Sequence, residues 1–217
     1  MGHFDFVVFS DSMTFRKGSP GHVLVDDEEL GLIFPVADGV KVKPVFSLMA
    51  AFSSGAVESP FDAAAILSSD AFQWVSLENK KPNYSSSVDC QCFVAISTFD
   101  FAEKLLKEHP QQRNFKFVEQ TSQYLDPIQE ALGTEFKALL SSMGNSDVDP
   151  IYLKAQRWGG AFYSNADSSK DLCFVDRERR LALCGDYCGG SNSNAETAML
   201  SGLCAGEELA SLLHEEE

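Results

Sequence analysis

The segment with the clearest chemical content runs Leu181-Ala-Leu-Cys-Gly185-Asp186-Tyr-Cys-Gly189-Gly190-Ser191-Asn-Ser193-Asn194-Ala195-Glu196-Thr-Ala198-Met-Leu-Ser201-Gly202. It reads as an apolar strand, a Gly-Asp pair at its carboxyl end, a glycine-rich turn and a helix of small residues. Ligands of open α/β sheets sit beyond the carboxyl ends of strands, and a helix start offers free N–H donors and partial positive charge. The pattern therefore suits an electron-rich ligand edge. The same residues also fit a plain strand-turn-helix corner, with Asp186 as a turn residue and Asn192 or Asn194 as an N-cap.

Other reactive residues are scattered. The histidines, at 3, 22, 109 and 214, stand in terminal, loop or helix-end contexts and form no Ser-His-Asp or Cys-His arrangement, so no catalytic residue is assigned. The cysteines, at 90, 92, 173, 184, 188 and 204, are spaced C-x-C and C-x3-C, without a C-x-x-C pair or a histidine cluster. No metal is expected, and these residues read as reduced, mostly buried thiols. Trp74, Lys81, Arg157 and Trp158 are candidates for a substrate pocket. Their plainer roles are sheet-core aromatics for the tryptophans and solvated or ion-paired charges for the cations.

The elements that must position these groups follow from pattern. Phe4 to Phe9 reads as a buried strand, and the Gly-, Pro- and acid-rich stretch to about Val40 as loop. Val45 to Phe52, Phe61 to Leu67, Phe72 to Leu77 and Cys90 to Ser97 have strand length and turn-residue boundaries, which implies an antiparallel sheet. Asp100 with Glu103 forms a capping-box pattern before a helix stopped at His109-Pro110. A helical stretch over about Gln112 to Tyr124 follows. Asp126-Pro127 then restarts a helix whose core face is Ile128, Leu132, Phe136, Leu139 and Met143, ended by Gly144-Asn145. Strands are expected at Ile151 to Trp158, Leu172 to Val175 and Leu181 to Cys184, with a charged turn at Asp176 to Arg179. The last helix shows Ala195, Ala198, Met199, Gly202, Leu203, Gly206, Leu209, Ala210 and Leu213 on one face, with Gly202 and Gly206 letting it lie close on the strands beneath.

The Gly185-Asp186 segment resembles the second flavin-binding motif of FAD-dependent amine oxidases and renalase-like oxidoreductases: Gly-Asp, glycines, then Glu-x-Ala-x-x-Ser-Gly. The likeness extends in order through Phe4 to Asp11, Pro44 to Phe52, Phe61 to Ile66, Phe72 to Pro82, Cys92 to Ser97 and Gln156-Arg157-Trp158. It implies FAD as cofactor, with Asp186 accepting hydrogen bonds from the ribityl chain. The turn Gly185, Gly189, Gly190 and the backbone of Ser193, Asn194 and Ala195 would face the flavin, where a helix end stabilises negative charge on the reduced ring. No G-x-G-x-x-G follows a strand, and Gly159-Gly160-Ala161 stands where the family tends to place an arginine-aromatic-alanine run.

The resemblance thus implies a C-terminal portion of such an enzyme. The fold expected is α+β: an antiparallel substrate-domain sheet with helices, plus the C-terminal strand-helix part of a Rossmann-like dinucleotide-binding domain. The segments are 1–40 (partial FAD-domain strand and loop), 41–158 (substrate domain) and 159–217 (C-terminal strands and flavin-facing helix). The activity implied is oxidation of a small reduced substrate, such as a dihydronicotinamide isomer or an amine, with dioxygen as acceptor. Two alternatives stand beside it: a truncated paralogue that binds no FAD and serves as an interaction domain, or half of an enzyme completed by a second chain carrying the dinucleotide-binding half.

Composition narrows the partners. In 217 residues, 32 acids outnumber 17 bases for a net charge of −15, which repels nucleic acid and anionic membrane. Hydrophobic residues at 44% and charged residues at 23% are ordinary globular usage, so the chain should fold. No stretch has the roughly 20 apolar residues needed to span a bilayer, and Met1 to Ser10 lacks the features of a signal peptide, so a soluble cytoplasmic protein is the expectation. Phe, at 17 residues, is in excess, which suggests an aromatic-rich sheet core.

Overall fold

A computed structural model describes residues 4–11, 41–82, 89–110, 120–164, 171–188 and 194–215. The elements in chain order are β1 (Val7–Phe9), β2 (Lys41–Ser53), β3 (Ala63–Ala65), β4 (Phe72–Leu77), β5 (Cys90–Ser97), α1 (Phe99–Glu108), α2 (Ser122–Ser142), β6 (Tyr152–Ser164), β7 (Phe174–Asp176), β8 (Leu181–Leu183) and α3 (Ala195–Glu215). The chain divides into two units, one of residues 1–43, 114–117 and 160–217 and the other of 44–113 and 118–159. The fold is α+β, as the sequence pattern implies.

The second unit is built on a five-stranded sheet in the order β3-β4-β5-β2-β6. Its β3-β4, β4-β5 and β5-β2 pairings are antiparallel, with Phe72 opposite Ser97 and Phe93 opposite Ala50. Alternation sets the core: Phe46, Leu48, Ala50 and Phe52 of β2 and Phe93 and Ala95 of β5 are buried with Phe101, Leu105, Ile128, Leu132, Phe136 and Leu140 of the helices. Phe136 lies 5.8 Å from Phe72, 5.9 Å from Phe93 and 6.3 Å from Phe52, centroid to centroid. Each such pair adds about 0.5–1.5 kcal/mol beyond plain burial, which is where much of the phenylalanine goes. At Gly133 a Cβ would meet Leu153 Cδ1 at 3.0 Å, so α2 approaches β6 more closely than an alanine allows without adjustment.

Two helix starts differ from the sequence pattern. α1 begins two residues earlier than the Asp100 box implies, because the Thr98 hydroxyl accepts from the Phe101 N–H at 3.2 Å and donates to the Asp70 carbonyl at 2.6 Å. Asp100 becomes a first-turn acid, favourable to the helix dipole. α2 begins at Ser122, with the Tyr124 and Leu125 amides on the Thr121 carbonyl, and continues through Pro127. A proline there forgoes one hydrogen bond near the helix start, a cost that the buried face of α2 offsets. The part of the expected Gln112 to Tyr124 helix over 111–119 lies outside the described residues.

The first unit holds a three-stranded sheet in the order β1-β8-β7, with β1 parallel to β8 (Val7 opposite Leu181, Phe9 opposite Leu183) and β7 antiparallel to it. β1 is shorter than the Phe4 to Phe9 run, and the turn between β7 and β8 holds Arg180 at φ +56. Of the six cysteines, Cys173 and Cys204 form a disulfide with Cα atoms 6.0 Å apart, where the sequence reading has reduced thiols. They meet because α3 packs across β7, a contact between residues 31 apart that spacing alone does not reveal.

Candidate functional site

The strand-turn-helix corner of the first unit is built from the carboxyl ends of β1 and β8. The Phe9 carbonyl accepts the Cys184 N–H and the Tyr187 hydroxyl, both at 3.0 Å, which pins the chain leaving β8 to the end of β1. Tyr187 is fully buried, and burial pushes its phenol far above the ordinary value; its ring meets Tyr163 edge to face at 5.8 Å. The phenol therefore serves as a neutral donor.

Gly185 sits at φ +141, where a Cβ would lie 2.6 Å from the Tyr187 ring and 2.9 Å from the Ser10 carbonyl oxygen. Only glycine fits. Its N–H donates at 2.7 Å to the hydroxyl of Ser201, which is wholly buried on α3 and donates in turn to the Leu172 carbonyl at 2.5 Å. Asp186 follows in a single helical turn with Tyr187 and Cys188, its side chain half-buried, while Cys188 closes the turn through its N–H on the Gly185 carbonyl at 3.1 Å. Burial raises the thiols of Cys184 and Cys188, the latter to about 11, so both are inert structural thiols near neutral pH.

Asn194 caps α3: its Oδ1 accepts the Thr197 N–H at 2.8 Å and its carbonyl accepts the Ala198 N–H at 3.0 Å. Its side chain is thus committed to the helix, as the plainer sequence reading has it, and Ala195 opens the first turn. Gly189, Gly190 and Ser193 lie outside the described residues. Gly185, Asp186, Asn194 and Ala195 belong to this one corner. Two contributors escaped the sequence reading. Tyr187 carried no spacing signal, and Ser201 was visible as a motif residue without an assigned role.

The packing face of α3 differs from expectation. Thr197, Ser201, Ala205 and Leu212 are buried, whereas Met199 and Leu203 are 70% and 62% exposed, and nothing lies within 4 Å of a Cβ built at Gly202 or Gly206. The helix is turned by about one residue, roughly 100°, because Ser201 must reach the Gly185 amide.

In the second unit, the four candidate pocket residues do not gather. On the sheet face opposite the phenylalanine core, Trp74 pairs across to Ile96 and Ile96 to Ser47, and the Trp158 indole donates to the Ser47 hydroxyl at 3.0 Å. The two tryptophans thus share one open face, 40% and 50% exposed, and are not core aromatics. At about 4.8 Å per strand they stand roughly 14 Å apart. Arg157 is held differently: Gln120 donates to its carbonyl at 2.9 Å and accepts its N–H at 2.7 Å, and its charge acts on Tyr124 of α2, whose phenol burial raises. Lys81, in the turn after β4, is ion-paired with Glu78 at 2.6 Å.

Among the described residues, no group of three or more His, Cys, Asp and Glu could hold a metal ion, and no helix is long and apolar enough to cross a membrane.

The fold is similar to that of several solved oxidase structures. The chain is similar to cyclohexylamine oxidase from Brevibacterium oxydans (TM-score 0.55, 9% identity over 96% of this chain and 43% of that one). It is also similar to a putrescine oxidase redesigned in its cofactor binding (TM-score 0.53, 11% identity, 97% and 43%). An Exiguobacterium protein provisionally described as a protoporphyrinogen oxidase gives a TM-score of 0.52 at 10% identity, over 94% and 41%. The likeness establishes the fold, and the chain spans about two fifths of the length of each of these structures. No family model and no curated protein matches the sequence.

Proposed function

We propose that this chain carries the flavin-facing corner of an FAD-dependent oxidoreductase that oxidises a small amine or dihydronicotinamide, with dioxygen as acceptor. The observation that carries the reading is the Gly185-Asp186 corner: a position where only glycine fits, then a half-buried carboxylate, then a capped helix start, on a fold shared with amine oxidases. These residues fit the cofactor chemically, since a carboxylate accepts from hydroxyls and a helix start favours an electron-rich edge.

In this reading Asp186 would accept from the ribityl hydroxyls and the start of α3 at Asn194 and Ala195 would be turned to the ring; Gly189, Gly190 and Ser193 belong to the same motif by sequence. FAD, when bound, supplies hydride acceptance and reaction with dioxygen. The protein's own task is placement. Tyr187 and Ser201 fix the corner through Phe9, Leu172 and Gly185, so the carboxylate and helix start are preorganised before a ligand arrives. The open sheet face with Trp74 and Trp158 is the proposed substrate wall; Arg157 precedes Trp158 on β6, and Lys81, ion-paired with Glu78, is the remaining candidate. Residues 1–40 and 159–217 form the cofactor part and 41–158 the substrate part. A cytoplasmic setting belongs to this proposal.

The exposed apolar residues Met199 and Leu203 favour a second form of the same reading, in which a chain bearing the dinucleotide-binding half completes the cofactor site. The test is anaerobic: FAD-loaded protein is mixed with small amines and with dihydronicotinamides, and the flavin absorbance is followed before and after admitting air. Bleaching by one class and recovery in air is expected. No bleaching by either class overturns the proposed activity.

A further inference from the structure

The central strand of the five-stranded sheet begins with two cysteines whose thiols the proposed flavin chemistry does not use. Cys90 and Cys92 are two residues apart on β5 and so share a face. Their sulfur atoms are 3.4 Å apart, and both side chains are partly exposed. The residues opposite them on β2 are small, Ser53 across from Cys90 and Ala51 across from Cys92, so no bulky cross-strand partner on β2 faces the sulfurs.

The strand end beneath them is fixed at two points by one side chain. Asn79 donates from Nδ2 to the Cys90 carbonyl at 3.0 Å and accepts the Cys92 N–H on Oδ1 at 2.6 Å. The backbone at residues 90 and 92 is therefore fixed by one side chain, and both thiols project from an anchored strand end.

Three uses of such a pair can be weighed by size. A direct disulfide needs Cβ atoms about 3.5–4.5 Å apart, whereas residues i and i+2 of a strand are separated by about 6.6 Å of rise. A folded β5 thus disfavours a bond between them. Tetrahedral zinc wants four ligands, and among the described residues no third His, Cys, Asp or Glu joins the pair in a metal-holding group. A centre that bridges both sulfurs avoids both obstacles. With bonds of about 2.3 Å to each sulfur, a separation of 3.4 Å subtends roughly 95°. That is far from linear two-coordination, which would place the sulfurs about 4.6 Å apart, and close to the right-angled bonds of a pyramidal trivalent centre.

We propose that Cys90 and Cys92 form a two-thiol chelating site for a soft, thiophilic centre that takes sulfur ligands near a right angle, of which trivalent arsenic is the simplest. With an organic arsenoxide the step is a condensation. Two arsenic–sulfur bonds form, the arsenic–oxygen bond breaks, and the oxygen leaves as water with both thiol protons. Nothing is oxidised or reduced. Burial, the neighbouring Cys90 thiol and the Glu78 carboxylate all raise Cys92 above the ordinary thiol value, so it enters this step protonated. A condensation that carries its own protons away suits such thiols better than capture of a bare cation, which must expel them.

The probe is phenylarsine oxide, added to the full chain in a phosphine reductant and followed by intact mass, with displacement by excess glutathione as the measure of chelation. One bridged phenylarsenic unit per chain is expected, resistant to the monothiol. The double variant Cys173→Ser with Cys204→Ser keeps it. Cys90→Ser and Cys92→Ser each lose resistance to displacement, with apparent affinity falling roughly a hundredfold or more, the gain that an intramolecular second bond provides. Cys90→Ala and Cys92→Ala serve where a serine variant does not fold. A glutathione-resistant adduct that survives in either single-site variant, or that disappears with Cys173 and Cys204, overturns the assignment.

Discussion

The amide of Gly185 and the hydroxyl of Ser201 meet at 2.7 Å in the interior of the first unit, joining the turn after β8 to the second turn of α3. The same hydroxyl reaches the Leu172 carbonyl, so one small side chain satisfies two backbone groups from two segments and sets the rotation of the helix. The candidate cofactor corner depends on this contact for its shape.

Replacing Ser201 by alanine leaves the Gly185 N–H and the Leu172 carbonyl without this partner. Each buried unpaired group costs about 1–3 kcal/mol, so the variant is expected to lose about 2–6 kcal/mol. Urea unfolding checks it. An unchanged midpoint would show that the contact does not order the corner.

Gly185→Ala should be worse. The backbone there is at φ +141 and the new Cβ has no room beside the Tyr187 ring and the Ser10 carbonyl oxygen. Strain of about 1–3 kcal/mol comes before any clash. The expected result is loss of the Tyr187 near-ultraviolet signal with the phenylalanine core of the second unit retained, read by circular dichroism and hydrogen exchange.

The buried thiols and phenol make stability fall in alkali. Cys188 titrates at about 11 in the folded chain against an ordinary 9.0, so between those values the unfolded chain loses a proton that the folded chain keeps. Unfolded chains then bind fewer protons, and stability drops as pH rises. Unfolding measured from pH 8 to 11 should show this slope, and Cys188→Ser should flatten part of it. Tyr187, raised for the same reason, extends the decline above its ordinary value of 10.0.

The Cys173–Cys204 bond closes a loop across a sequence separation of 31. Loop-closure entropy gives it about 3–4 kcal/mol. Cys204→Ser should lower the unfolding free energy by that amount under oxidising conditions and change nothing under reductant.

How much of this was legible depended on whether local pattern and packing agreed. β4 and β5 have the bounds the sequence implies, because Phe72 to Leu77 and Cys90 to Ser97 combine strand length and β-forming composition with flanking turn residues. The α2 face of Ile128, Leu132, Phe136 and Leu139 was equally plain. The α3 face was not: its buried side includes Thr197 and Ser201, so polarity pointed the helix the wrong way. Thr98 is not legible as the cap because Asp100 and Glu103 form a capping-box pattern two residues on, and its bond to the Asp70 carbonyl is a tertiary contact. Trp74 and Trp158 came to one face only through strand register, and the Cys173–Cys204 pairing needs α3 against β7. Gly185, Asp186, Asn194 and Ala195 were found together because a local motif holds them.

The central claim is that Asp186 and the start of α3 bind FAD, and its most direct measurement is equilibrium titration of the purified chain with FAD, read by flavin fluorescence and the visible spectrum, for the native sequence and Asp186→Ala. The account predicts saturable binding with a perturbed flavin band, weakened roughly tenfold to a hundredfold in the variant, as expected for a lost charge-assisted hydrogen bond. Equal binding by both chains, or none by the native chain, would contradict it.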